Sequence, residues 1–115
     1  MVKFHPVNDK NYDKVLKEND RIVLLFGASW CAPCEEIKKN IEVLPKKYDS
    51  IYFGYVDIDK EKENPLVRLK HGFEPNYQGQ PVPNTVYIKQ RTEIKEQWGF
   101  IPLKNMRKAL DDYLS

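Results

Sequence analysis

The apolar positions of this chain follow two periods, and the switches between them mark its elements. Tyr12, Val15 and Leu16 recur at the spacing of one helix face, with Asn8 or Asp9 placed to cap the helix and Asn19-Asp20 to end it. Arg21 then opens the apolar run Ile22-Val23-Leu24-Leu25-Phe26, short and β-branched at its start, which predicts a strand buried on both faces. Gly27-Ala28-Ser29 is the turn out of it. A second helix is predicted from Cys31, with Ile37, Ile41 and Leu44 inward, Glu35, Lys38, Lys39 and Glu42 outward, and Pro45 near its end.

Ile51 to Val56 predicts a second buried strand, ending in Asp57-Ile58-Asp59. A third helix is predicted over residues 60–71, stopping before Gly72. The connection from Phe73 to Pro83 is dense in turn formers. Thr85-Val86-Tyr87-Ile88 and Thr92 to Trp98 then read as a hairpin whose second strand is polar enough to be an edge. Pro102 suits the first position of a last helix with Leu103, Met106, Leu110, Tyr113 and Leu114 inward. The order is α-β-α-β-α-β-β-α, with a further short strand possible at residues 2–6. The strand–helix–strand unit at 22–56 predicts a parallel crossover. The class is α/β, a sheet with helices on both faces.

At 115 residues and 13.6 kDa the chain has the size of a single domain, residues 1–115, able to bury one core. No window approaches the ~20 apolar residues of a membrane span, and Met1 to Pro6 lacks a signal peptide's apolar stretch. No membrane association is expected. Basic and acidic residues, 19 and 17, leave a net charge of +2 and alternate, as in Lys60-Glu61-Lys62-Glu63. That is a solvated face, and nucleic acid is not an expected partner. Two cysteines are too few for a disulfide scaffold, so their C-x-x-C spacing carries the interest.

Cys31 and Cys34 stand where a buried strand gives way to a helix. Residues three apart on a helix share a face at about 5–6 Å, within reach of a disulfide. First-turn amides lack intrahelical partners and the helix dipole is positive there, which favours a thiolate. Pro33 donates no amide hydrogen and presets the first turn. These effects lower the pKa of Cys31, expected to be the more exposed sulfur, into a range of roughly 3.5–7.5. Cys34, one turn deeper, would act second.

Val23-Leu24-Leu25-Phe26-Gly27-Ala28-Ser29-Trp30-Cys31-Ala32-Pro33-Cys34 resembles the active-site segment of thioredoxins and thioredoxin-like proteins. The resemblance covers nearly the whole chain: Val56-Asp57-Ile58-Asp59 is similar to the end of that family's central strand, Val82-Pro83-Asn84-Thr85 to its cis-proline loop, and Trp98-Gly99-Phe100 to the turn before its last helix. It implies the thioredoxin fold, a central mixed sheet with helices on both faces. It implies that Cys31 attacks a substrate disulfide and that Cys34 resolves the mixed disulfide. Pro83, if cis, would lie beside the cysteines and the Val82 backbone would pair with the substrate chain. Gly99 would leave room for that chain, Trp30 would shield one side, and Ala32 and Pro33 would complete the contact surface. No cofactor or metal is implied. The implied partners are disulfide-bearing protein substrates and a reductase as electron donor, for a monomer in the cytoplasm.

Three departures qualify the resemblance. The family usually has a buried acid where this chain has Leu25 and a lysine near it where this chain has Tyr55. Losing both members of a buried charged pair leaves neither unpaired, but leaves open how Cys34 loses its proton; Glu35 or Glu36 is a candidate. Glu35 stands where thioredoxins commonly have a lysine, at i+4 from Cys31, and a carboxylate there would oppose the thiolate. The connection before Pro83 is also longer than usual, its Tyr77-Gln78-Gly79 tip either lining a substrate groove or forming a surface insertion.

Other functions compete. A zinc site would need His5 and His71 beside the cysteines, both far away in sequence. Asp57 and Asp59 read as strand-end turn residues before they read as a metal pair. Trp98 is either a packed edge aromatic or part of a substrate surface. The same dithiol chemistry could run as an oxidant or isomerase in an exported setting, or the fold could be a redox-silent binding module. The intact cysteine pair argues against the last. Ala32-Pro33 is close to the Gly-Pro of reducing members, which favours reduction of protein disulfides.

Overall fold

The computed structural model describes residues 2–59 and 82–115. The run read as a buried strand forms β2, Arg21–Gly27, at the centre of a five-stranded sheet. Around it lie β1 (Phe4–Pro6), β3 (Tyr52–Asp57), β4 (Asn84–Lys89) and β5 (Thr92–Trp98), in the spatial order β1-β3-β2-β4-β5. β3 runs parallel to β1 and β2, while β4 runs antiparallel to β2 and β5, so the sheet is mixed. Three helices complete the described chain: α1 (Tyr12–Glu18), α2 (Ala32–Glu42) and α3 (Leu103–Tyr113). The helix expected over 60–71, the 73–81 part of the long connection, and His71 lie outside the described residues. No described helix is long and apolar enough to cross a membrane.

Side-chain alternation divides the core in two. Val23, Leu25, Phe53 and Tyr87 face one side of the sheet, against Ile37 and Ile41 of α2 and Met106, Ala109 and Leu110 of α3. Ile22, Leu24, Phe26, Val56, Val86 and Ile88 face the other, against Tyr12 and Val15 of α1. β2 is thus covered on both faces, which is why it reads as a continuous apolar run. β5 is an exposed edge, as its polarity predicts.

Differences from the expected boundaries have local causes. The Asn8 side chain accepts from the Lys10 and Asn11 amides, so it caps a lead-in turn and α1 begins only at Tyr12. Pro102 is not the first helical residue: its ψ of 150° is extended, and the ladder starts when the Met106 amide donates to its carbonyl. Leu44 is buried but lies beyond α2, and a short 3₁₀ turn over Lys46–Tyr48, not anticipated, follows Pro45. The Tyr48 hydroxyl ties that turn to α3 by donating to Asp111 at 2.8 Å.

The β4–β5 hairpin closes on Gln90 and Arg91, with φ of 50° and 67°. A tight two-residue turn with positive φ at both positions favours Asn-Gly, because side chains crowd the left-handed conformation. Replacing the pair by Asn and Gly is expected to raise stability by about 0.5–2 kcal/mol, read as a higher melting temperature.

Candidate active site

The site lies where β2 ends and α2 begins. The Cys31 amide donates to the Ala28 carbonyl at 3.1 Å, closing the turn out of the strand. Cys31 itself is not helical: its backbone is extended and it is the N-cap of α2. Its Sγ accepts the Cys34 amide at 3.2 Å. This is the unpartnered first-turn donor anticipated from the sequence, held on the sulfur. Pro33, in the first turn, has no amide to leave unsatisfied.

Cys31 and Cys34 are joined as a disulfide with their Cα atoms 5.3 Å apart. Cys31 is 2% exposed and Cys34 0%. Both cysteines are thus buried, and Cys31 is far less open than expected, its sulfur accepting the Cys34 amide and bonded to the Cys34 sulfur. Trp30, Ala32 and Pro33 stand exposed around the pair, Trp30 at 65%.

A second loop carries the other implied residues. The Val82–Pro83 peptide is cis, Pro83 is buried, and Val82 packs against the core cluster that contains both cysteines. The Gly99 amide donates to the Pro83 carbonyl at 2.8 Å, fixing the turn after β5 onto this loop. Gly99 has φ of +88°, a conformation that favours glycine, and a Cβ there would meet none of the described residues within 4 Å. Trp98 is an exposed edge-strand aromatic whose Nε1 donates to Glu96 at 3.3 Å.

The two positions where the family usually carries charges lie side by side in the sheet. Leu25 and Tyr55 are register partners on β2 and β3, Leu25 fully buried and Tyr55 half-buried. Glu35 and Glu36 are exposed, and Glu35 lies 4.0 Å from Lys38 one turn along α2. Lys38 Nζ in turn sits 4.4 Å above the Tyr55 ring. Burial, reinforced by the Asp57, Glu35 and Asp59 carboxylates, raises the Tyr55 phenol to about 12. Its hydroxyl and Cys34 Sγ both lie about 3 Å from where a side chain on Gly27 would begin, a convergence not readable from the sequence.

The competing residues fall elsewhere. His5 stacks on Tyr52 at the β1 edge, 5.0 Å between ring centroids. The Asp59 amide donates to the Asp57 side chain at 2.9 Å, which is the strand-end turn reading. No group of three or more His, Cys, Asp or Glu arranged to hold a metal occurs among the described residues.

A family model described as Thioredoxin matches residues 3–111. The chain belongs to the thioredoxin family. It is 30% identical over 110 residues to a thioredoxin of Staphylococcus haemolyticus, covering 94% of this chain and 95% of that one. It is 26% identical over 114 residues to a thioredoxin of Chlorobaculum thiosulfatiphilum, covering 97% of each. Among solved structures, a mutant thioredoxin of Halobacterium salinarum superposes with a TM-score of 0.77 at 21% identity, covering 98% of this chain and 92% of that chain. The oxidised mitochondrial thioredoxin 3 of Saccharomyces cerevisiae gives 0.74 at 22% identity, covering 96% and 94%. The sheet and helices described above are the thioredoxin fold. With a C-x-x-C pair at disulfide distance, this thioredoxin-family chain is a thiol–disulfide oxidoreductase. Members of the family act on disulfide substrates and draw on a reductase as donor.

Proposed function

We propose that the protein is a monomeric reductant of protein disulfides in the cytoplasm, re-reduced by a partner reductase. Cys31 attacks one sulfur of a substrate disulfide, the other leaves as a thiolate, and a mixed disulfide forms. Cys34 then attacks Cys31 Sγ, forming the Cys31–Cys34 bond and expelling the second substrate sulfur with its electron pair. Two electrons pass to the substrate, and the reductase restores the dithiol. The observation that carries this reading is the Cys31 sulfur at the N-terminus of α2, accepting the Cys34 amide. The same amide and dipole that hold it there stabilise its thiolate.

The substrate chain lies across Trp30, Ala32 and Pro33, with the Val82 backbone and Pro83 on its other side and Gly99 leaving it room. The reducing direction rests on Ala32-Pro33, which puts no additional cationic donor between the cysteines, unlike the histidine-containing pairs of oxidants. Glu35 tempers the thiolate further, though its exposure and its Lys38 neighbour weaken that effect.

The equilibrium potential of the Cys31–Cys34 couple against glutathione tests this. A value near ~−270 mV is expected, and one of ~−120 to −180 mV would identify an oxidant or isomerase instead. Glu35→Gln is expected to move the potential to a less negative value, because removing a carboxylate stabilises the thiolate of the reduced form. An unchanged value would remove Glu35 from the account.

A further inference from the structure

The dithiol chemistry described above requires a thiolate where burial opposes its charge. Cys34 must become a thiolate to attack Cys31, yet it is fully buried, where desolvation opposes the charge. Its neighbours on the sheet supply no acid–base group of the usual kind. Leu25 is aliphatic, and Thr85, its register partner on β4, contributes a buried hydroxyl with no hydrogen-bond partner among the described residues.

Gly27 marks where a polar side chain approaches Cys34 among the described residues. A Cβ built on Gly27 would stand 2.8 Å from the Tyr55 hydroxyl oxygen and 3.0 Å from Cys34 Sγ. It would also stand 3.1 Å from Tyr55 Cε2. The phenol and the resolving sulfur therefore crowd the same point from two sides, and the absence of a side chain at residue 27 lets them. β3 carries the tyrosine, the end of β2 carries the glycine, and α2 carries the cysteine.

We infer that the Tyr55 hydroxyl is a hydrogen-bond donor to Cys34 Sγ, stabilising that sulfur as it becomes the attacking thiolate. The inference rests on the dithiol reading and deepens it. Tyr55 acts as a donor and not as a base. The acids around it, Asp57 and Asp59 at the end of β3 and Glu35 on α2, add to burial in holding its proton on. Lys38 stands 4.4 Å over the ring, and its charge is shared with Glu35. In the resolving step Cys34 gives its proton to solvent, attacks Cys31 Sγ and breaks the Cys31–substrate bond. The substrate sulfur leaves with the electron pair, and Tyr55 keeps its proton throughout.

The test follows the reduced protein with one equivalent of 5,5′-dithiobis(2-nitrobenzoate) by stopped flow across a pH series. Attack by Cys31 releases the first thionitrobenzoate, and attack by Cys34 on the mixed disulfide releases the second. In Tyr55→Phe the second phase is expected to slow roughly tenfold at neutral pH, with its midpoint shifted up by about one pH unit, while the first phase keeps its profile. A variant carrying 3-fluorotyrosine at position 55 alone, whose hydroxyl is a stronger donor, is expected to shift the second midpoint down. Second phases that superimpose on wild type in both variants would overturn the inference and leave the dithiol reading intact. Absence of a second phase from the wild-type protein would overturn the dithiol reading, and the inference with it.

Discussion

Cys34→Ser is expected to halt the reaction at its midpoint, leaving substrate covalently attached through Cys31. The variant keeps the attacking sulfur and its helix N-terminus but has no thiol within reach of the mixed disulfide. Serine is nearly isosteric, and position 34 is the third residue of α2, so the fold should persist. Cys31→Ser is expected to be inactive earlier and to carry no adduct. Serine is itself among the preferred N-cap residues and its oxygen can accept the Cys34 amide, so α2 should start where it does now. The remaining sulfur, on Cys34, is fully buried and out of a substrate's reach. With each variant reduced and then freed of dithiothreitol before mixing with insulin, neither should release fully reduced insulin chains, and intact-protein mass spectrometry should find the insulin-chain adduct only in Cys34→Ser. An adduct on Cys31→Ser, or turnover in either variant, would contradict the assigned order of attack.

The second large effect is on stability. Phe26 is fully buried on β2, in the same cluster as Ala28, Cys31, Cys34 and Val56. Phe26→Ala removes a ring from a close-packed layer fixed by backbone pairing on both sides, to Val56 of β3 and Asn84 of β4. The paired backbone cannot collapse far into the space, so the cavity term adds to the lost transfer energy. A loss of about 3–5 kcal/mol is expected, which is a large part of the ~5–15 kcal/mol that holds such domains together. The denaturation midpoint in urea should fall with the slope unchanged. A loss under about 1 kcal/mol would mean that the layer repacks.

Local chemistry was legible in the sequence wherever a single element decided the outcome. Ile22 to Phe26 announced a two-sided strand because both faces of β2 are covered. Ile37 and Ile41 announced the inner face of α2 because three-to-four spacing leaves no other reading. The cysteine pair announced its own chemistry through its spacing, its proline and its place at a strand–helix junction. Tyr55 was different. A tyrosine in an apolar strand reads as core, and only the register that sets Leu25 against Tyr55, together with the empty position at Gly27, lets its hydroxyl and Cys34 Sγ converge on one point. The burial of Cys31 was also out of reach, since it depends on a sulfur turning inward to one amide. The Gln90-Arg91 turn carries none of the glycine or asparagine that marks a tight hairpin, so its geometry follows from strand pairing alone.

The sheet's outer strands bear on how the molecule behaves when concentrated. A long, flat, apolar outer strand invites a neighbouring copy to continue the ladder, which is the first step towards fibres. Here β1 is three residues long, too short to serve as such a template. β5 is longer, but it presents Glu93, Lys95 and Glu96 to solvent, and its pairing with β4 slips between Tyr87 and Ile88. Charge and that irregularity together frustrate growth from β5, and brevity frustrates it from β1. The exposed ring of Trp30 beside the cysteines is thus carried on a molecule whose sheet does not recruit other sheets.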